Sequence, residues 1–266
     1  MDGIANGSTP NGLIQAGAFR IIAGPCTVES YEQLSTSAKL VKQAGFEYLR
    51  GGAFKPRTSP YSFQGLGEEG LKILSQVGRE QGLKVVTEVL DPYDIELVME
   101  HAEVLQIGTR NMANFALLKR VGAAIAGTDH GVILKRGFAA TVEEWLLAAE
   151  YITSAGGENV VLCERGIRTF ETSTRFTLDL SAVQVARRLS DLPVVVDPSH
   201  AAGRRDLVLP LSRAAVAVDA DGLLIESHHE PQEALCDGEQ ALPVDGLLSL
   251  REALEPFAAA MGRKVV

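Results

Sequence analysis

Residues 132–166 read VILKRGFAATVEEWLLAAEYITSAGGENVVLCERG, and this stretch decides the fold class. VILKRG (132–137) and NVVLCERG (159–166) are short apolar runs that are nearly continuous rather than alternating. Such runs fit parallel strands buried on both faces. Between them, Thr141 and Glu144 form a capping-box pattern ahead of Leu146, Ala149 and Ile152, and Gly156-Gly157 supplies a stop. The stretch is therefore one strand–helix–strand unit.

The unit recurs in both directions. FRIIAG (19–24), YLRGG (48–52), LKVVTEV (83–89) and VLQIG (104–108) precede it, and PVVVDP (193–198) and GLLIES (222–227) follow. Helical patterns fill the gaps. Ser30 and Gln33 cap one that carries Leu34, Ala38 and Val41 and stops at Gly45. Asp91-Pro92 opens another, and Leu178–Leu189 and Leu207–Val218 continue the series. About eight such units in 266 residues, with no linker between them, predict an α/β fold. The expected form is a single-domain (β/α)8 TIM barrel over residues 18–266, not an open doubly wound sheet. No G-x-G-x-x-G follows the first run, which removes the usual dinucleotide signature. Residues 1–17 are small, polar and Gly-rich and read as a flexible segment.

The net charge of −9 argues against nucleic acid or an anionic membrane as partner. No apolar run is long enough to span a bilayer, and MDGIANGSTPNG lacks the regions of a secretory signal. Three cysteines, Cys26, Cys163 and Cys236, are too few for a disulfide framework, so a reducing cytoplasm is expected.

Against that acidic background, YLRGGAFKPRTSPYSFQG (48–65) gathers Arg50, Lys55 and Arg57. Pro56 and Pro60 remove backbone donors, so the segment is a loop presenting cations and hydroxyls, a receptor for phosphate and carboxylate. In a barrel the active site is built from the C-terminal strand ends. Those ends carry two groups of residues. Arg50, Lys55, Arg57, Arg110, Lys135 and Arg165 form a positive pocket suited to two phosphorylated ligands, or to one with phosphate and carboxylate. Cys26, His200, Glu226 and Asp237 form a mixed S/N/O set that suits a divalent metal, Mn, Fe, Zn or Co. Glu88 and Glu164 also stand at strand ends. Singly, Cys26 reads as a small core residue, His200 as a loop histidine and Lys135 as a rim ion-pair partner. Convergence of the whole set on one rim favours the site.

Several motifs resemble one family. AGPCTVES (23–30), LRGGAFKPRTSPYSFQG (49–65), IGTRNMANF (107–115), LKRG (134–137), CERGIRTFETSTRFTLDL (163–180), VDPSHAAGRRDLV (196–208) and the pair Glu226 and Asp237-Gly238 are similar to 3-deoxy-D-arabino-heptulosonate 7-phosphate (DAHP) synthases of the short type I beta branch. The resemblance implies condensation of phosphoenolpyruvate with erythrose 4-phosphate and water, the first step of the shikimate route to aromatic amino acids. It assigns the metal to Cys26, His200, Glu226 and Asp237, and phosphoenolpyruvate to Arg50, Arg110, Lys135 and Arg165. Lys55, Pro56, Arg57, Thr58 and Ser59 match the erythrose 4-phosphate segment. The related 3-deoxy-D-manno-octulosonate 8-phosphate synthases, which take arabinose 5-phosphate, usually carry Ala-Asn-Arg-Ser where this chain has Lys-Pro-Arg-Thr-Ser.

The 48–65 loop is expected to face a metal on the opposite strands. Lys135 and Glu88 are the candidates for managing the attacking water, alongside Cys26 and His200 as catalytic ligands. A lysine crowded by arginines is expected to have a lowered pKa. Cys236, beside Asp237, is expected close to Cys26. Family members carry regulatory domains for which this chain has no room, so built-in feedback control is not expected. A homodimer or homotetramer, and a chorismate mutase acting in trans, are the partners implied. Rival readings are a Schiff-base aldolase through Lys135 and a non-catalytic barrel that binds phosphorylated ligands.

Overall fold

The computed structural model describes residues 12–57 and 59–266. Eight parallel strands run in order: β1 (Ala18–Gly24), β2 (Tyr48–Arg50), β3 (Lys84–Val89), β4 (Val104–Ile107), β5 (Gly131–Lys135), β6 (Val160–Glu164), β7 (Val194–Val196) and β8 (Gly222–Glu226). Each pairs with the next, and β8 returns to β1 with Gly24 opposite Glu226, which closes the barrel. The expected (β/α)8 architecture is what the chain adopts.

The intervening helices are α1 (Tyr31–Gln43), α2 (Glu68–Gln81), α3 (Ile95–Met99), α4 (Phe115–Ile125), α5 (Val142–Thr153), α6 (Leu180–Leu189), α7 (Pro198–Ala202), α8 (Val208–Ala217) and α9 (Val244–Ala260). Helix α9 and a two-residue strand, β9 (Lys264–Val265), go beyond the units read from the sequence; β9 pairs with β1 beside the barrel ring. Among the described residues, no helix is long and apolar enough to cross a membrane.

Strand parity divides the core in two, because successive side chains point to opposite faces. One set, including Ile22, Tyr48, Val86, Ile133, Val161, Val195 and Leu224, fills the barrel interior. The alternate set, including Ile21, Leu49, Val85, Leu105, Leu134 and Leu162, packs against helix residues such as Leu34, Leu74, Val121 and Trp145. Buried Trp145 satisfies its indole by donating from Nε1 to Leu134 O at 3.1 Å.

Leu13 and Ile14 join the interior set. Arg20 Nε donates to Leu13 O at 3.1 Å, and Tyr48 OH donates to Gly12 O. Packed structure therefore begins before residue 18, because two apolar side chains of the expected flexible segment close the lower end of the barrel. Residues 1–11 of that segment lie outside the described residues.

The caps follow the sequence with one change. Thr141 Oγ1 accepts from Glu144 N at 3.1 Å, while Thr141 N donates to Glu144 Oε2 at 2.8 Å. Ser30 Oγ accepts from Gln33 N, but Gln33 Oε1 accepts from Glu29 N instead of returning to Ser30. Asp91 caps a single 3-10 turn (Pro92–Asp94) that leads into the five-residue α3. Without Thr141 Oγ1 the Glu144 amide loses its acceptor. Thr141→Ala should lower stability by about 1 kcal/mol, read as a shift in urea midpoint without loss of barrel circular dichroism.

Candidate active site

At the C-terminal end of the barrel, a cavity of about 280 Å³ opens among the strand ends. Arg50, Lys55, Pro56, Arg57, Ser59, Glu88, Arg110, Lys135, Arg165, His200 and Asp237 line it, together with Gln106, Phe138 and Arg175. Thr58 lies outside the described residues. Parity explains the assembly. Along β5, Lys135 points inward and the next residue, Arg136, points out. Glu164 on β6 also points out, where it accepts from Arg136 Nη1 at 2.9 Å and from Gly166 N at 2.7 Å. Glu164 thus braces the rim, whereas Arg165 turns into the cavity.

Cys26, His200, Glu226 and Asp237 come together with one donor atom each, all within 4.8 Å of one another. Cys26 Sγ lies 3.2 Å from Asp237 Oδ2, and His200 Nε2 lies 3.2 Å from Glu226 Oε1. The loop after β1 presents Cys26, α7 presents His200, β8 ends on Glu226, and Asp237 stands in the following loop at φ 53°, a left-handed conformation. Non-glycine residues held there concentrate at functional sites.

The electrostatics fit a cation. Contact with Cys236, then burial, then the Glu226 charge push the Cys26 thiol well above its usual range. Burial opposes charge on Glu226, yet His200, Arg50 and Lys55 hold its carboxyl far below the usual value. Burial lowers the pKa of His200, although Asp197 and Glu226 oppose that shift. A neutral imidazole, a carboxylate pair and a thiol that needs a cation to ionise make a donor set for a divalent transition metal. Asp197 Oδ2 sits 2.7 Å from His200 Nδ1, the arrangement that orients a ligating histidine with Nε2 facing the site.

The cations take particular partners. Lys135 Nζ pairs with Asp197 Oδ2 at 2.7 Å. Arg50 Nη1 donates to Glu226 Oε1, and Lys55 Nζ donates to Cys26 O at 3.1 Å. These contacts correct the expectation that the 48–65 loop faces the metal from across the barrel. Strand β2 is the neighbour of β1, so the loop flanks the ligand set directly. Lys55 keeps its charge. Burial opposes its charge, but Cys26, Glu88 and Glu226 hold its pKa above the usual lysine value. Arg57 Nη1 donates to Cys236 Sγ at 2.7 Å, and Cys236 is in hydrogen-bond contact with Cys26, as its position in the chain suggested.

Arg165 is 4% exposed, and its Nε and Nη1 have no hydrogen-bond partner. Burial lowers its pKa. Glu88 lines the cavity beside Gln106, whose Nε2 donates to Glu88 Oε2 at 3.4 Å.

Sequence reasoning gave no role to Asp197, Arg175, Gln240, Gln106, Phe138 or Phe176. Asp197 and Arg175 stand inside quoted motifs. The Asp-x-x-His spacing, with Asp197 capping α7 onto His200 N, was a legible signal. Gln240, which donates to Glu226 Oε2, and Arg175, 3.2 Å from Asp237 Oδ1, come from loops whose approach no spacing reveals.

Comparison with known proteins places this geometry. The model of the DAHP synthetase I family matches residues 11–261. The chain belongs to this family. A phospho-2-dehydro-3-deoxyheptonate aldolase of Thermotoga maritima is 53% identical over 249 residues, which are 94% of this chain and 72% of that protein. The crystal structure of the Thermotoga maritima phospho-2-dehydro-3-deoxyheptonate aldolase (DAHP synthase) matches 95% of this chain and 73% of its own, with TM-score 0.91 and 52% identity. A truncated 3-deoxy-D-arabino-heptulosonate 7-phosphate synthase from Thermotoga maritima, 48% identical, matches 95% and 91% with TM-score 0.87. A 2-dehydro-3-deoxyphosphooctonate aldolase of Syntrophotalea carbinolica is 33% identical over 243 residues, 85% of each chain. This DAHP synthetase I chain thus lies nearer to the heptonate relatives than to the octonate one.

Two outcomes follow for its site. A Cβ at Gly108 would meet Glu88 Oε1 at 1.9 Å, so Gly108→Ala displaces that flexible carboxylate while sparing the backbone. Turnover should fall by about a hundredfold with an unchanged melting temperature; turnover within twofold of the parent would remove Glu88 from the chemistry. The second outcome concerns acid. With its pKa lowered on folding, His200 is protonated more readily in the unfolded chain, so the unfolded state binds more protons below about 6.5 and stability falls there. Asp197, held well below its usual range by His200 and Lys135 against the effect of burial, adds a loss below about 3.8. The urea midpoint of chelated protein should decline from pH 7 to pH 5, and His200→Gln should flatten that decline.

Proposed function

We infer that this chain condenses phosphoenolpyruvate with D-erythrose 4-phosphate and water to give 3-deoxy-D-arabino-heptulosonate 7-phosphate and phosphate. It is a 3-deoxy-7-phosphoheptulonate synthase acting at the entry to the shikimate pathway. The observation that carries this reading is the buried Arg165, with open donors, in one cavity with the Cys26–His200–Glu226–Asp237 set. An anion receptor beside a metal-ligand cluster is what an anionic enol ester and an aldehyde require together.

Cys26, His200, Glu226 and Asp237 would hold the divalent ion, which supplies Lewis-acid polarisation of an oxygen when bound. The chain's other residues bind and orient. Arg110, Lys135 and Arg165 take the phosphate and carboxylate of phosphoenolpyruvate, with Arg50 between them and Glu226. Holding the two reactants in register replaces a bimolecular encounter by a positioned one. Carbon 3 of phosphoenolpyruvate bonds to the aldehyde carbon as the carbonyl pair moves to its oxygen, which takes a proton from solvent; water adds to the cation at carbon 2 and loses a proton, and phosphate leaves as its bond to carbon 2 breaks and the ketone forms. Glu88 accepts the proton of that water, and the Lys135 ammonium steadies the negative charge that departs. Lys55, Pro56, Arg57, Thr58 and Ser59 hold the sugar phosphate.

Lys135 argues against the Schiff-base reading by its ion pair with Asp197, since an imine needs a free neutral amine. The higher identity to the heptonate relative supports the four-carbon sugar. Three free cysteines suit a reducing cytoplasm, and a homodimer or homotetramer remains part of the proposal.

Chelation should abolish turnover, and Mn, Fe, Zn or Co should restore it. Phosphate release from phosphoenolpyruvate, followed with four- and five-carbon sugar phosphates, checks activity and sugar choice together. Full activity of Cys26→Ala after exhaustive chelation would overturn the metal requirement, and preference for arabinose 5-phosphate would overturn the substrate.

A further inference from the structure

The two carboxylates whose charges favour the Arg165 cation, Asp197 and Glu164, already hold other partners. Asp197 Oδ2 lies 2.7 Å from both Lys135 Nζ and His200 Nδ1, and Asp197 Oδ1 accepts from His200 N at 2.9 Å. Glu164 is taken by Arg136 and by the amides of Gly166 and Asp179. A buried guanidinium without acceptors is costly and free to reorient. What it meets instead are ring faces. Phe138 and Phe176 stack with centroids 5.1 Å apart and planes 13° from parallel. The Arg165 guanidinium lies 4.1 Å from the Phe176 centroid and 5.2 Å from that of Phe138. Arg110 stands 5.5 Å from the Phe138 ring.

The two rings arrive from different loops and are held there by backbone. Phe138 follows β5, and its carbonyl accepts from Arg168 N at 2.6 Å. Phe176 follows β6, and its amide donates to Ala201 O at 2.8 Å. Gly166, at φ 88°, lets the chain turn where a Cβ would meet Phe176 Cβ at 2.7 Å. The platform is thus built by the fold rather than by the arginines it carries.

We propose that the stacked Phe138–Phe176 pair is a positioning device for phosphoenolpyruvate recognition. The negative ring faces hold the Arg165 plane by a contact that consumes none of its N–H donors, so the donors stay aimed at the incoming anion. A carboxylate partner would hold the guanidinium equally well but would compete with substrate. Phe138 extends the platform under Arg110, so one aromatic pair sets the relative placement of two anion-binding groups. This inference rests on the function proposed above; Phe138 and Phe176 act through the arginines and not on the reacting atoms.

Phe176→Leu keeps apolar bulk and removes the ring face, and Phe176→Tyr restores it. In the metal-loaded protein, Phe176→Leu should weaken phosphoenolpyruvate binding about tenfold, by calorimetric Kd and by KM. The KM for erythrose 4-phosphate and kcat should stay within about threefold, and Phe176→Tyr should recover parental binding. In an Arg165→Lys background, Phe176→Leu should add less than in the parent, since the ring acts through Arg165. Unchanged phosphoenolpyruvate affinity in Phe176→Leu overturns the proposal. So does a fall in kcat and both KM values together with the melting temperature, or equal losses in the two backgrounds. A parent that binds phosphoenolpyruvate without turnover would refute the proposed function and leave the Kd comparison decisive; a parent that does not bind it would overturn both.

Discussion

The Asp197 carboxylate is the constraint on which the site depends. Fully buried, it meets Lys135 and His200 on one oxygen and caps α7 through the other. It therefore ties a cavity-lining cation of β5 to the α7 histidine of the Cys26–His200–Glu226–Asp237 cluster. Taking away one partner of such a buried group typically costs on the order of 3–5 kcal/mol, because the remaining charge is left without compensation. Lys135 and His200 take up Asp197, and Arg165 Nε and Nη1 hold no acceptor.

The barrel makes this arrangement possible. Closure of β8 onto β1 places Glu226 beside Gly24, two residues before Cys26, so ligands from opposite ends of the chain become neighbours. Of the remaining strand ends, those of β2, β4, β5 and β6 carry the cations, and that of β3 carries Glu88. Negative and positive halves meet where Arg50 bonds Glu226 and Lys55 bonds the Cys26 carbonyl. Those contacts hold the Glu226 carboxylate ionised, and they place the 48–65 loop against the Cys26–His200–Glu226–Asp237 cluster.

The family relation and the geometry agree on the broad activity, but they explain different things. Relatedness accounts for which motifs are present. The geometry accounts for why each is needed: Gly108 leaves space for the Glu88 carboxylate, Gly166 for the approach of Phe176, and the left-handed Asp237 for its turn toward Cys26. Each is a local backbone demand set by a neighbour distant in sequence.

The sequence by itself determined the repeated strand–helix unit, most strand positions and which polar residues stand at the strand ends. Near-continuous Val/Ile runs and helix caps are local signals, and a parallel barrel turns strand order directly into a rim. Only the tertiary structure decided which way each rim residue points and what it pairs with. Lys135 and Arg136 are adjacent in the chain, yet one enters the cavity and the other braces Glu164, because strand parity is fixed by the packed sheet. The burial of Leu13 and Ile14, the flank position of the 48–65 loop and the Phe138–Phe176 stack were likewise decided by three-dimensional packing. They are contacts between segments far apart in the chain, and no spacing along the sequence encodes them.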